Sequence, residues 1–269
     1  MIKLNTLLAK VDHSQSMFNR MVGDYAAFFK KNQGMFQGIK KTFKPRDGYA
    51  EDARYMGTTK VATTVEEKLE WFEQNSIPYL NELFAVEATN SAGAPRVELI
   101  VDGISFGKLT ALDLMRLKTI LTSKPLEDMY NNIPVRSDAE VWLEGTDPEY
   151  AGRSICQTEM LKGVTRTTES EECILKDPNL DPARLPANYN AKVTIKKKTV
   201  ETGDYTLQKF TGEWTQRQRA ELLRRRSNIL AAVTEALKVV NDTPAENPNL
   251  DVDKLITFLH HGKLKNQKY

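Results

Sequence analysis

The opening forty residues constrain this chain more than any other stretch. Apolar side chains recur through Leu4, Leu7, Leu8, Val11, Phe18, Met21, Val22, Tyr25, Phe28 and Phe29. Steps of three and four residues keep one face of a helix apolar. The spacing predicts one amphipathic helix over residues 2 to 42, loosened by Gly34 and Gly38 and stopped by Pro45. So long a helix carries more apolar surface than a small domain hides, so part of it is expected to meet another copy or a partner protein.

Further along, local signals mark other elements. Residues 45–63 are polar and read as a loop. Thr64 and Glu67 have the spacing of a capping box, in which each side chain satisfies the other residue's free backbone N–H. They open a second helix along Val65, Leu69, Phe72, Leu80, Leu83 and Phe84, and Pro78 is expected to kink it or split it in two. Asp102-Gly103 between Val97–Val101 and Ile104–Phe106 is the strongest hairpin signal in the chain. A third helix is expected from Thr110 to Thr122, with Asp113 in the capping position and Pro125 beyond its end.

From about residue 138 to 212 the pattern turns to strands, read at 140–144, 154–160, 164–168, 191–200 and 205–210. The last two are expected to form a hairpin around Thr202-Gly203-Asp204, and Asp177 to Pro182 to form a loop. A fourth helix follows Trp214, which sits as a hydrophobic staple before the cap Thr215 and its partner Gln218, and runs to about Val240. A short helix from Asp251 to His261 precedes a basic tip at Lys263, Lys265 and Lys268. The fold class is therefore α+β, with long amphipathic helices packed on a mainly antiparallel sheet. It divides into an N-terminal helix (1–44), a core domain (45–241) and a tail (242–269).

With 40% hydrophobic and 28% charged residues the chain is globular. The 38 basic and 36 acidic side chains leave a net charge of +2, which argues against an overall basic coat for nucleic acid but permits a local patch. Cys156 and Cys173 read as reduced thiols. The first ten residues lack the apolar core of a secretory signal, and no apolar run approaches the roughly 20 residues that span a bilayer. The expectation is a soluble protein without membrane contact, in the cytoplasm of its cell or of a host.

The run Arg217-Gln218-Arg219-Ala220-Glu221-Leu222-Leu223-Arg224-Arg225-Arg226 holds the sharpest candidate chemistry. At 100° per residue, Arg217, Arg224 and Arg225 project into solvent, whereas Arg219 and Arg226 fall in the apolar sector. A charge in that sector needs a partner. Three readings stand: an anion or phosphate grip shared with Lys196, Lys197 and Lys198, a salt bridge to an acidic side chain, or arginine stems lying at the edge of the core. The lysine run sits on an expected strand. It could follow a phosphate backbone, with Tyr189, Tyr205 or Phe210 for stacking, or guard a sheet edge against aggregation. Arg166, flanked by Thr165 and Thr167, could bind an anion or form an ion pair.

The candidate anion- or nucleic-acid-binding set is therefore Arg166, Lys196, Lys198, Arg219, Arg225 and Arg226. His13, His260 and His261 lack metal-site spacing. There is no P-loop, no G-x-G-x-x-G and no G-x-S-x-G, so no cofactor and no catalytic residue is expected. Glu169, Glu171 and Glu172 read as a solvated stretch, and Trp71, Trp142 and Trp214 as core.

Several segments taken in order resemble a family of uncharacterised bacterial and phage proteins. They are Phe36-Gln37-Gly38-Ile39, Thr42-Phe43-Lys44-Pro45, Val101-Asp102-Gly103, Trp142, Arg166-Thr167, Lys209-Phe210-Thr211-Gly212, and the helix from Glu221 to Val233. The resemblance spans residues 36 to 241 and implies a shared fold and a phage or mobile-element setting, with no activity. Together the readings favour a non-enzymatic interaction or assembly protein that self-associates through its first helix. A binder of nucleic acid or a small phosphorylated ligand is the alternative, and an enzyme without a recognisable motif the second.

Overall fold

Helix α1 spans Leu4–Lys31, shorter than the expected 2–42, and strand β1 follows at Gln37–Pro45 after a 3₁₀ turn at Gln33–Phe36. The apolar stripe ends at Phe29, and Asn32 donates its Nδ2–H to the Phe28 carbonyl at 3.3 Å. Beyond it Ile39, Thr42 and Phe43 suit a pleated surface, and β1 pairs antiparallel with a strand more than 150 residues away. The computed structural model describes residues 4–174, 193–242 and 250–261. The loop expected at Asp177 to Pro182, Tyr189 and the basic tip Lys263, Lys265 and Lys268 lie outside them.

Within the loop expected at 45–63, Gly57–Thr59 forms β2, which pairs with β1. Helix α2 (Val65–Asn90) opens on the Thr64/Glu67 capping box and continues unbroken through Pro78. Strands β3 (Val97–Val101) and β4 (Ile104–Leu109) form the expected hairpin, with positive φ at Asp102 (50°) and Gly103 (82°). Helix α3 (Ala111–Thr122) is capped reciprocally by Thr110 and Asp113. Pro125 lies beyond the end of α3, as expected, and stands in the first turn of a further helix, α4 (Lys124–Asn131), where its missing N–H costs nothing.

The expected strands at 140–144 and 154–160 shrink to β5 (Leu143–Glu144) and β6 (Cys156–Gln157), because the chain there is mostly irregular and Val141 is 75% exposed. Both cysteines are free, on β6 and on β7 (Leu161–Ile174). The expected turn at Thr202-Gly203-Asp204 does not form: β8 runs without a break over Val193–Thr211. Gly203 serves close packing instead, since a Cβ there would enter the Phe43 ring. β7 pairs with β8 from Leu161↔Leu207 to Ile174↔Val193, with a register shift at Thr165/Arg166. The larger sheet is antiparallel in the order β2-β1-β8-β6-β5, with β7 also on β8. Helices α5 (Gln216–Val240) and α6 (Val252–His261) complete the described fold, α5 with the Thr215/Gln218 capping box.

The expected excess of uncovered helix surface on α1 is not found over its second half. Phe18, Met21, Val22 and Phe29 join Phe72 of α2 and Leu126 and Met129 of α4 in one cluster. A second cluster sets Leu99 and Val101 of the hairpin against Leu114 of α3 and Val233 and Ala236 of α5. Trp71 is not core: it is 49% exposed and stacks on Tyr25 at 5.7 Å between ring centroids. Trp214 packs against the first cluster, its buried Nε1 without a partner among the described residues.

Candidate functional site: a projecting charged ribbon

Capping at Thr215 opens α5, whose phase turns Arg226 toward the short α3–α4 connection and Arg219 toward the far end of α4. Arg226 donates Nε–H to the Leu121 carbonyl at 2.9 Å and lies 4.0 Å from Glu127. Arg219 donates to the carbonyls of Asn131 at 3.2 Å and Ile133 at 3.3 Å. These carbonyls fall at the ends of α3 and α4, where helices leave acceptors unsatisfied and the dipole favours cations. The partners that the apolar sector demanded are chiefly backbone oxygens, with Glu127 beside Arg226 and the Gln216 amide oxygen beside Arg219. Arg225 is exposed, and Arg224 pairs with Glu221 at 2.6 Å.

Arg166, Lys196 and Lys198 sit elsewhere, so the structure does not gather the six candidates at one place. All three lie on the β7–β8 ribbon. Strand β1 accompanies β8 only as far as Pro45↔Gly203. Beyond that, from Arg166↔Glu201 to Ile174↔Val193, β7 and β8 pair as strands only with each other among the described residues. This arm has little core: residues 166–172 and 195–199 are exposed.

The register places Glu169 opposite Lys198 and Glu171 opposite Lys196 on one face of the arm. One strand is thus acidic and its neighbour basic, and the other edge of each is unpaired among the described residues. At the arm's base, Arg46 pairs with Glu201 and, at 3.2 Å, with Asp204. Arg166 reaches the same Glu201 at 3.2 Å. Tyr49 donates its phenol to Glu169 at 2.5 Å, which pushes its ionisation above the usual tyrosine range. The hydrogen bond to Asp204 likewise raises the Arg46 pKa. Sequence reasoning missed Arg46, Tyr49 and the pairing role of Glu169 and Glu171, because register is a property of two strands.

No group of histidine, cysteine and carboxylate side chains among the described residues could hold a metal ion. No described helix is long and apolar enough to cross a membrane. The fold defines an α+β protein with helices against a mainly antiparallel sheet. The chain belongs to the family described as "Family of unknown function (DUF7873)", which matches residues 1–263 and so takes in the first helix as well as the segments from 36 to 241. No curated protein and no solved structure matches the chain.

Proposed function

We propose that this chain is a non-enzymatic assembly protein whose copies join edge to edge through the β7–β8 arm. One observation carries the reading: an arm of two strands, free at both outer edges among the described residues, with acid on one strand and base on the other. A two-stranded ribbon in water is marginal until a further strand or a core supports it. Lysine on an edge strand discourages pairing with a like edge. It favours an acidic one, so β8 of one copy suits β7 of the next. Such contacts are heterologous, giving rings where the rotation closes and filaments where it does not.

The interface moves from the place the first helix suggested, because α2 and α4 cover the second half of α1. Sedimentation velocity on the full chain tests the reading. Assemblies at about 0.1 M salt are expected to dissociate near 1 M, where the screening length falls from about 10 Å to about 3 Å. A monomer at both salts overturns it, as does an assembly that survives deletion of residues 166–201.

A further inference from the structure

Away from the arm, where β1 and β8 run side by side, a cavity of about 470 Å³ opens between the sheet and the segment from Ser137 to Trp142. Gln37, Glu140, Trp142, Lys209 and Glu213 line it. The wall is built: Trp142 donates its indole N–H to the Ser137 carbonyl at 2.9 Å, which fixes the ring. Phe210, 3% exposed, closes another side.

The charges in the cavity do not cancel. Lys209 pairs with Glu140. Glu213 has no cationic partner among the described residues. Its carboxylate accepts from two neutral donors, the Gln37 amide at 2.8 Å on Oε1 and the Thr211 hydroxyl at 3.1 Å on Oε2. Each oxygen keeps a further lone pair. A cavity with one uncompensated carboxylate and an indole wall suits a cation that meets the acid while its flat or aliphatic body lies on the ring. Phosphates are disfavoured, because the cleft's lysine is already neutralised.

We propose that this cleft binds a guanidinium or alkylammonium group held between Glu213 and Trp142. The guanidinium is the better match, since its planar fork bonds a carboxylate at two points and stacks on aromatics. The proposal is independent of the arm. The group could come from a free small molecule or from an arginine side chain of another protein, and the probes separate the two sources.

The test titrates the full chain with agmatine and, in a second arm, with a blocked arginine tripeptide, by calorimetry. Tryptophan fluorescence, wild type against Trp142→Phe, locates the signal among the three tryptophans. Saturable binding is expected. Glu213→Gln, which can keep the hydrogen bond from Gln37, should weaken it at least about tenfold, the scale of one lost charge-assisted bond. Tighter binding of the tripeptide assigns the group to a protein side chain; equal or tighter binding of agmatine assigns it to a free molecule. If Glu213→Gln proves unfolded by its thermal melt, Trp142→Leu takes its place with the same expected loss. No saturable binding to wild type, unchanged affinity in the folded variant, or tighter binding of inorganic phosphate overturns the proposal.

Discussion

Arg226 of α5 and Leu121 of α3 are joined by a hydrogen bond of 2.9 Å from the guanidinium Nε to the backbone carbonyl. One long helix thereby closes the end of another, and Arg219 repeats the device seven residues earlier at the end of α4. The Arg226 side chain is only 17% exposed, so removing it leaves an acceptor that water reaches poorly. Arg226→Leu should cost about 1–3 kcal/mol, the penalty of a stranded buried acceptor. Arg225→Leu, one residue away and exposed, should stay within about 0.5 kcal/mol. Urea denaturation midpoints compare the two; equal effects would remove the carbonyl bond as the cause.

Glu67 carries a second prediction, on pH. Arg153 donates to both of its carboxylate oxygens, at 2.6 and 3.0 Å, and to the Val61 and Ala62 carbonyls. Glu67 also accepts the Thr64 N–H that closes the capping box. These bonds, Arg153's first, hold the Glu67 pKa below the usual carboxylate range. A depressed folded pKa adds stability above the unfolded value of about 4.3 and loses it as pH falls toward the folded one. Melting temperature should therefore drop below about pH 4.3, and by less in Arg153→Met than in wild type. Identical slopes in the two proteins would exclude this pair as the source. The magnitude is small, because Glu67 is 40% exposed and solvent screens it.

What could be read beforehand was whatever a few neighbouring residues decide. The boxes at Thr64/Glu67 and Thr215/Gln218 and the Asp102-Gly103 turn are closed by contacts within a few positions, and all three formed. Strand β1 was hidden because its partner, β8, enters the chain more than 150 residues later. Pro125 marked the end of α3 but not the start of α4, because proline ends one helix and opens another with equal ease. The helical phase did show that Arg219 and Arg226 needed partners, but not that backbone carbonyls would supply them. Likewise Glu169 and Lys198 were each in view, and only the register made them a pair.

Gly203 illustrates the same limit and gives a third prediction. It reads as a turn, yet it lies inside β8 opposite Pro45 and Thr165. A Cβ on it would fall 2.5 Å from Phe43 Cε2 and 2.9 Å from the Lys44 carbonyl. Gly203→Ala should destabilise by about 1–3 kcal/mol through overpacking. Phe43→Ala should then cost less in the Gly203→Ala background than alone, because the ring that clashes has gone. Additive losses in a double-mutant cycle would mean that the backbone, not the ring, demands glycine.

The arm offers the most discriminating prediction, because its charges can be exchanged without changing composition. Lys196→Glu with Lys198→Glu makes both strands acidic; Glu169→Lys with Glu171→Lys makes both basic. Either pair of substitutions should abolish self-association, by setting like charges opposite each other within and between arms. All four together restore the pairs Glu169↔Lys198 and Glu171↔Lys196 in reversed sense, so the fully exchanged chain should assemble as wild type does. Mixing the acidic-armed and basic-armed chains should also give assemblies in which the two alternate. Light scattering at low salt reads all four samples, and circular dichroism verifies that each chain folds. If the fully exchanged chain stays monomeric while wild type assembles, surface charge at other positions directs the contact and the edge-to-edge interface is wrong. If the two half-exchanged chains assemble as well as wild type, the edges attract through something other than charge. The apolar residues Ile195 and Val193, 63% and 53% exposed on β8, would then be the next to replace.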